Sequence, residues 1–148
     1  MLIESILKQQ LDREGVLDCL EQLNRHYNLQ VKFKTGYPRN GRNCPCAEPY
    51  NRVLIFPRIT LLYNKYVLAH EYAHVTDLPV GTPALKWLNK HESYCHASVF
   101  ERFYQEACQV MDIPYIPTER LQRALRAERQ RRGIPKYRPA RQRWEEED

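Results

Sequence analysis

Two histidines four residues apart, with a glutamate directly after the first, are the residues of this chain best suited to chemistry: His70-Glu71-Tyr72-Ala73-His74. On an α-helix, residues at i and i+4 share a face, with Cβ atoms about 5–6 Å apart. Two imidazoles placed that way can each reach one zinc ion at about 2.0–2.1 Å. Glu71 projects to the side of the pair, where it can take a proton from water activated at the metal. The flanking residues call for a buried helix. Leu62, Tyr63, Tyr66, Val67, Ala69, Tyr72, Ala73 and Val75 set apolar groups nearly all round the segment from Leu61 to Val75. The competing reading is a core helix that happens to carry two histidines. It must explain two polar rings on one buried turn, where an unpaired group costs about 1–3 kcal/mol.

A zinc site of this kind needs a third protein ligand and keeps its fourth position open. His96 is the expected third ligand. It opens an apolar stripe of Phe100, Phe103, Ala107 and Val110 at steps of three and four, which turns it toward the core. Glu92, one turn earlier, is its rival, although a capping-box partnership with Asn89 also explains that residue. Asp77 falls on the ligand face and can either orient a ligand histidine through its second ring nitrogen or cap the helix end. Tyr66 and Tyr94 can donate to a developing oxyanion, but core packing is the commoner use of a tyrosine. Cys44-Pro45-Cys46 lacks the second cysteine pair of a zinc site, and free loop thiols are expected.

Val67-Leu68-Ala69-His70-Glu71-Tyr72-Ala73-His74, followed by His96-Ala97-Ser98-Val99-Phe100, resembles the SprT-like metallopeptidases. In that family a short strand precedes the HExxH helix. A later helix opens with H-G-x-x-F, whose histidine is the third ligand; here Ala97 stands in place of the glycine. A more distant similarity is to the ImmA/IrrE-like peptidases, which place E-A-x-x-F at this point with the glutamate as ligand. The resemblance covers roughly residues 53–114. It implies zinc held by His70, His74 and His96, Glu71 as general base, and a protein or peptide substrate. The fold it implies is α+β and zincin-like, a small β-sheet packed on the HExxH helix with helices around it.

The remaining elements have to position that helix. Residues 2–27 read as one helix, with Ile3, Ile6, Leu7, Leu11, Leu17, Leu20 and Leu23 at helical spacing and Gly15 as the point of a break. Leu29, Val31 and Phe33 alternate with polar residues as in a half-buried strand, and Val53-Leu54-Ile55-Phe56 makes a second strand, stopped by Pro57. Residues 35–50, rich in Gly, Pro and Asn, read as the long loop of a hairpin between the two strands. Residues 77–88 read as loop, and a helix from Asn89 to about Met111 follows. Thr118 caps a last helix over 119–132, which Gly133 and Pro135 end. Residues 1–117 then form the peptidase domain, and 118–148 a basic helix with a flexible tail from Lys136 onward.

Charge is distributed unevenly. Of 23 Lys and Arg residues against 18 Asp and Glu, many crowd the stretch from Arg120 to Arg143, ahead of the acidic end Glu145-Glu146-Glu147-Asp148. Arginines at steps of three give the last helix a charged face opposite Leu121 and Leu125, suited to nucleic acid phosphates or to plain solvation. No apolar run is long enough for a membrane span. Met1-Leu2-Ile3-Glu4-Ser5 sets an acid where an export signal sets Lys or Arg, and the five cysteines are irregularly spaced. A cytoplasmic zinc peptidase is the expectation. The alternatives are a regulatory peptidase restricted to one partner protein and a non-catalytic nucleic-acid-binding protein with structural zinc.

Overall fold

In the computed structural model the described residues are 2–38, 41–48, 51–76 and 98–137. The first apolar segment forms two helices rather than one, α1 (Leu2–Leu7) and α2 (Arg13–Tyr27). The break lies at Asp12, ahead of Gly15. The Asp12 carboxylate accepts the Gly15 amide at 2.7 Å and caps α2. Gly15 is part of that cap, since a Cβ there would meet Asp12 Oδ1 and the Leu11 side chain at 3.1 Å each.

The hairpin expected from the sequence is absent. β1 (Lys32–Thr35) pairs in parallel with β3 (Val53–Phe56), Lys32 facing Val53. A strand inside the segment read as loop, β2 (Cys46–Glu48), pairs antiparallel with β3, Cys46 facing Ile55, so the order is β1-β3-β2. Parallel neighbours need a crossover rather than a tight turn, and residues 36–52 supply it. As the middle strand, β3 is covered on both faces, with Leu54, Ile55 and Phe56 all buried. Phe33, Phe56 and Tyr63 meet edge to face, with centroids 5.3–6.1 Å apart, and join the sheet to the approach to the next helix.

That helix, α3 (Lys65–Thr76), follows a 3₁₀ turn at Thr60–Leu62. The buried Asn64 separates the two. Its Oδ1 accepts the Tyr66 amide at 2.8 Å, while Nδ2 donates to the Ile6 carbonyl at 2.8 Å and to Gln10 Oε1 at 2.5 Å. Leu11 N–H to Tyr63 O and Lys65 N–H to Gln9 O add a backbone stitch at the same place. The start of α3 is thereby fixed to the end of α1. As expected, α3 is buried on nearly every face, against β2, β3, α2 and the helix α4 (Ser98–Val110).

The buried stripe of α4 is Phe100, Tyr104, Ala107 and Cys108, continued by Met111 just past the helix end. Phe103 and Val110, expected as members of the stripe, only flank it. Tyr104 can occupy the core because its hydroxyl donates to the Ile116 carbonyl at 2.6 Å. Helix α5 (Thr118–Arg131) buries Leu121 and Leu125 in the same core and packs on α1. Thr118 is its first residue and not its cap. The Thr118 hydroxyl has no partner among the described residues, and Glu101 on α4 instead accepts the Thr118 amide at 3.1 Å. Beyond Gly133, with φ of 69°, the chain is tied to residues 42 and 43; of the tail expected to be flexible from Lys136 onward, only Lys136 and Tyr137 are among the described residues. Asn43 donates from its backbone to Lys136 O and from Nδ2 to Pro135 O, at 3.0 and 2.7 Å, and Arg42 bridges Tyr137. Among the described residues no helix is long and apolar enough to cross a membrane.

Candidate metal centre

The rotation of α3 about its axis is set by hydroxyls on its other faces. Tyr66 donates to the Pro114 carbonyl at 2.6 Å, and Tyr72 donates to Asn24 Oδ1 at 2.8 Å. Asn24 is itself held by the backbone of Val31 at 3.0 and 3.1 Å. The core-packing use expected for Tyr66 is the observed one.

With α3 so fixed, His70 and His74 lie side by side, their ring centroids 5.1 Å apart and their planes 79° apart. His70 is buried and His74 half-buried. Phe100 on α4 lies against both rings, 5.2 Å from His70 and 4.5 Å from His74, with Tyr104 behind it. This aromatic floor limits how the imidazoles turn. Glu71 Oε2 stands 3.8 Å from His70 Nε2. One ligand atom from each of His70, Glu71 and His74 falls within 4.8 Å of the others. Two imidazole nitrogens and a carboxylate that converge in this way fit the donor preferences of zinc. His96, Glu92, Asp77 and Tyr94 lie outside the described residues.

Burial dominates the electrostatics. Glu71 is 5 % exposed, and desolvation pushes its carboxyl up to about 8, opposed by the positive charge of Arg129. Comparison with protein-family models, curated proteins and solved structures finds no match. The site therefore has to be read from its own side chains.

Sequence reasoning missed three of them. Cys44 and Cys46 are free, as expected, but they border the site, since the Glu71 charge acts on both thiols. Burial raises each thiol, Cys46 to about 11, so both are neutral near pH 7. The third is Arg129 on α5, half-buried, whose charge acts on Cys44 and Glu71. A signal for it was present. Arg129 continues the Leu121–Leu125 stripe by one more step of four, which turns it inward, away from the solvated face.

Proposed function

We propose that this chain is a zinc-dependent metallopeptidase of the zincin type that works in the cytoplasm. The observation that carries the reading is the convergence of His70, Glu71 and His74 within 4.8 Å on a helix buried on nearly all sides. The resemblance to SprT-like peptidases supports it, and so do the unpaired thiols at Cys44 and Cys46, which suit a reducing compartment. His70 and His74 would hold the metal together with His96, or with Glu92 in its place. Zinc, when bound, acidifies water and polarises the scissile carbonyl of a protein or peptide.

The chain's own residues supply the rest. Phe100 keeps the two imidazoles in place from below. Glu71, flanking His70, accepts a proton from water and passes it to the leaving amine. Its burial makes a strong base of the ionised carboxylate, and Arg129 offsets part of the cost of ionisation.

Metal analysis of the purified protein tests the ligand set. One zinc per chain is expected, with most of it lost in His70→Ala, His74→Ala and His96→Ala. Full occupancy in His96→Ala combined with loss in Glu92→Ala would assign the third position to Glu92. Full occupancy in His70→Ala would refute the site.

A second reading, nucleic acid contact through α5, is favoured by the exposure of Arg120, Arg123 and Arg126 along one face. Against it, Arg123 pairs with Glu119, and Arg131 and Arg132 pair with Glu128.

A further inference from the structure

Arg129 is half-buried, whereas the other arginines of its helix, Arg120, Arg123, Arg126 and Arg131, are exposed. Arg123, Arg131 and Arg132 each hold a carboxylate of α5, whereas Arg129 forms no hydrogen bond or ion pair among the described residues. Its Nε is buried without a partner. A guanidinium is charged at any pH a protein meets and carries five donors, so withdrawing it half-way from water without a counter-ion is unfavourable. Its neighbours act both ways: negative charge on Cys44 or Glu71 favours it, while Arg42 and Arg126 repel it.

The fold holds the side chain there. The backbone and side chain of Asn43 bind the residues after α5, and Arg42 bridges Tyr137. The 42–46 segment then runs into β2, which packs on α3, and the Glu71 charge acts on Cys44 and Cys46. The segment after α5 is thus tied to the segment that leads into β2, and the charge of Arg129 acts on Cys44 of that segment and on Glu71.

We propose that Arg129 is a recognition residue for a carboxylate of the substrate. It would receive either an acidic side chain or a free C-terminal carboxyl of a peptide whose scissile bond lies at Glu71. The inference rests on the peptidase reading of the site. A carboxylate suits the place better than a nucleic acid phosphate, because a peptide cleaved at Glu71 brings carboxylates and no phosphate with it. The guanidinium fork also matches its two oxygens. Glu71 cannot fill this role itself, since it makes no hydrogen bond to Arg129 and is the group assigned to the proton.

The test reads Arg129 directly and needs no turnover. The full-length, zinc-supplemented protein is labelled with ¹⁵N-arginine, and the Arg129 Nε–H resonance is assigned by its loss in Arg129→Gln. It is then titrated with three organic probes, N-acetylglutamate α-amide, N-acetylglutamine with a free α-carboxyl and N-acetylglutamine α-amide, and separately with inorganic phosphate. One of the two carboxylates should bind at least about tenfold more tightly than the neutral amide, as expected for a charge-assisted pair. The favoured carboxylate identifies its source as side chain or C-terminus. Arg129→Lys should keep part of the preference and Arg129→Gln should abolish it, both with the wild-type circular dichroism spectrum and zinc content. Equal response to all three probes overturns the proposal, as does a preference that survives in folded Arg129→Gln. Inorganic phosphate shifting the resonance more tightly than either carboxylate also overturns it and favours nucleic acid. Absence of zinc in the wild-type protein would count against the peptidase reading, whereas a zinc-loaded protein without carboxylate preference would count against Arg129 alone.

Discussion

Replacing Glu71 by Gln in metal-free protein isolates the cost of burying a carboxyl at this site. Glu71 is 5 % exposed, and its carboxyl titrates near 8 in the folded chain against 4.5 when unperturbed. As pH rises above 4.5 the unfolded chain gives up this proton while the folded chain keeps it. The unfolded state then binds fewer protons, and folded stability falls with rising pH until about 8. At about 1.4 kcal/mol per pH unit, that window makes the ionised residue destabilising by on the order of 4–5 kcal/mol. Gln keeps the shape and does not titrate. The two apo proteins should therefore be nearly equally stable at pH 4.5, and the variant should become progressively more stable as pH approaches 8. The assay is urea denaturation of chelator-treated protein by circular dichroism, at intervals from pH 4.5 to 8.5. Taking the difference between the two proteins removes the titration of groups they share. Zinc should close the gap, because a dication beside the carboxyl favours its charged form. Parallel stability curves for the two apo proteins across the whole range would refute the reasoning.

Further outcomes follow from the same packing. Asn64→Ala removes two donated bonds and one accepted bond from a fully buried site, and should lower stability by about 2–4 kcal/mol, measured by the same denaturation. Changing Arg120, Arg123 and Arg126 together to Gln should leave stability almost unchanged, as these residues are exposed. If the α5 face touches nucleic acid, the triple variant should flatten the dependence of log affinity on log salt by up to about 3; an unchanged slope in a filter-binding series removes that face from consideration.

The candidate site was legible in the sequence where spacing alone determines position. The turn from His70 to His74 and the apolar wrapping of α3 follow from helical periodicity. β3 was read at its observed bounds because Val53-Leu54-Ile55-Phe56 is an unbroken apolar run closed by a proline. Partnership between elements was not legible. The alternation of Leu29, Val31 and Phe33 fits a hairpin or a crossover equally well; the strand it announced lies slightly later, at Lys32–Thr35, and only the short, half-buried β2, hidden among turn-forming residues, goes with the parallel arrangement. The stripe of α4 moved by one position because Tyr104 counts as apolar only once Ile116 accepts its hydroxyl proton. Arg129 was grouped with the charged face because its arginines recur at steps of three, although a step of four from Leu125 carries the last of them round to the inner side. The break in the first helix followed from a capping carboxylate at Asp12, a local bond that outweighs the apolar periodicity running through it.

The account rests on Glu71 acting as a base beside a metal held by histidines. The most direct measurement compares wild type and Glu71→Gln, both carrying one zinc by elemental analysis, for hydrolysis of a peptide library and of the chain itself at neutral pH. The variant should keep its zinc and its fold and cleave about 10²–10⁴ times more slowly. Equal cleavage by the two proteins would contradict the account, and so would a Glu71→Gln variant that no longer holds zinc.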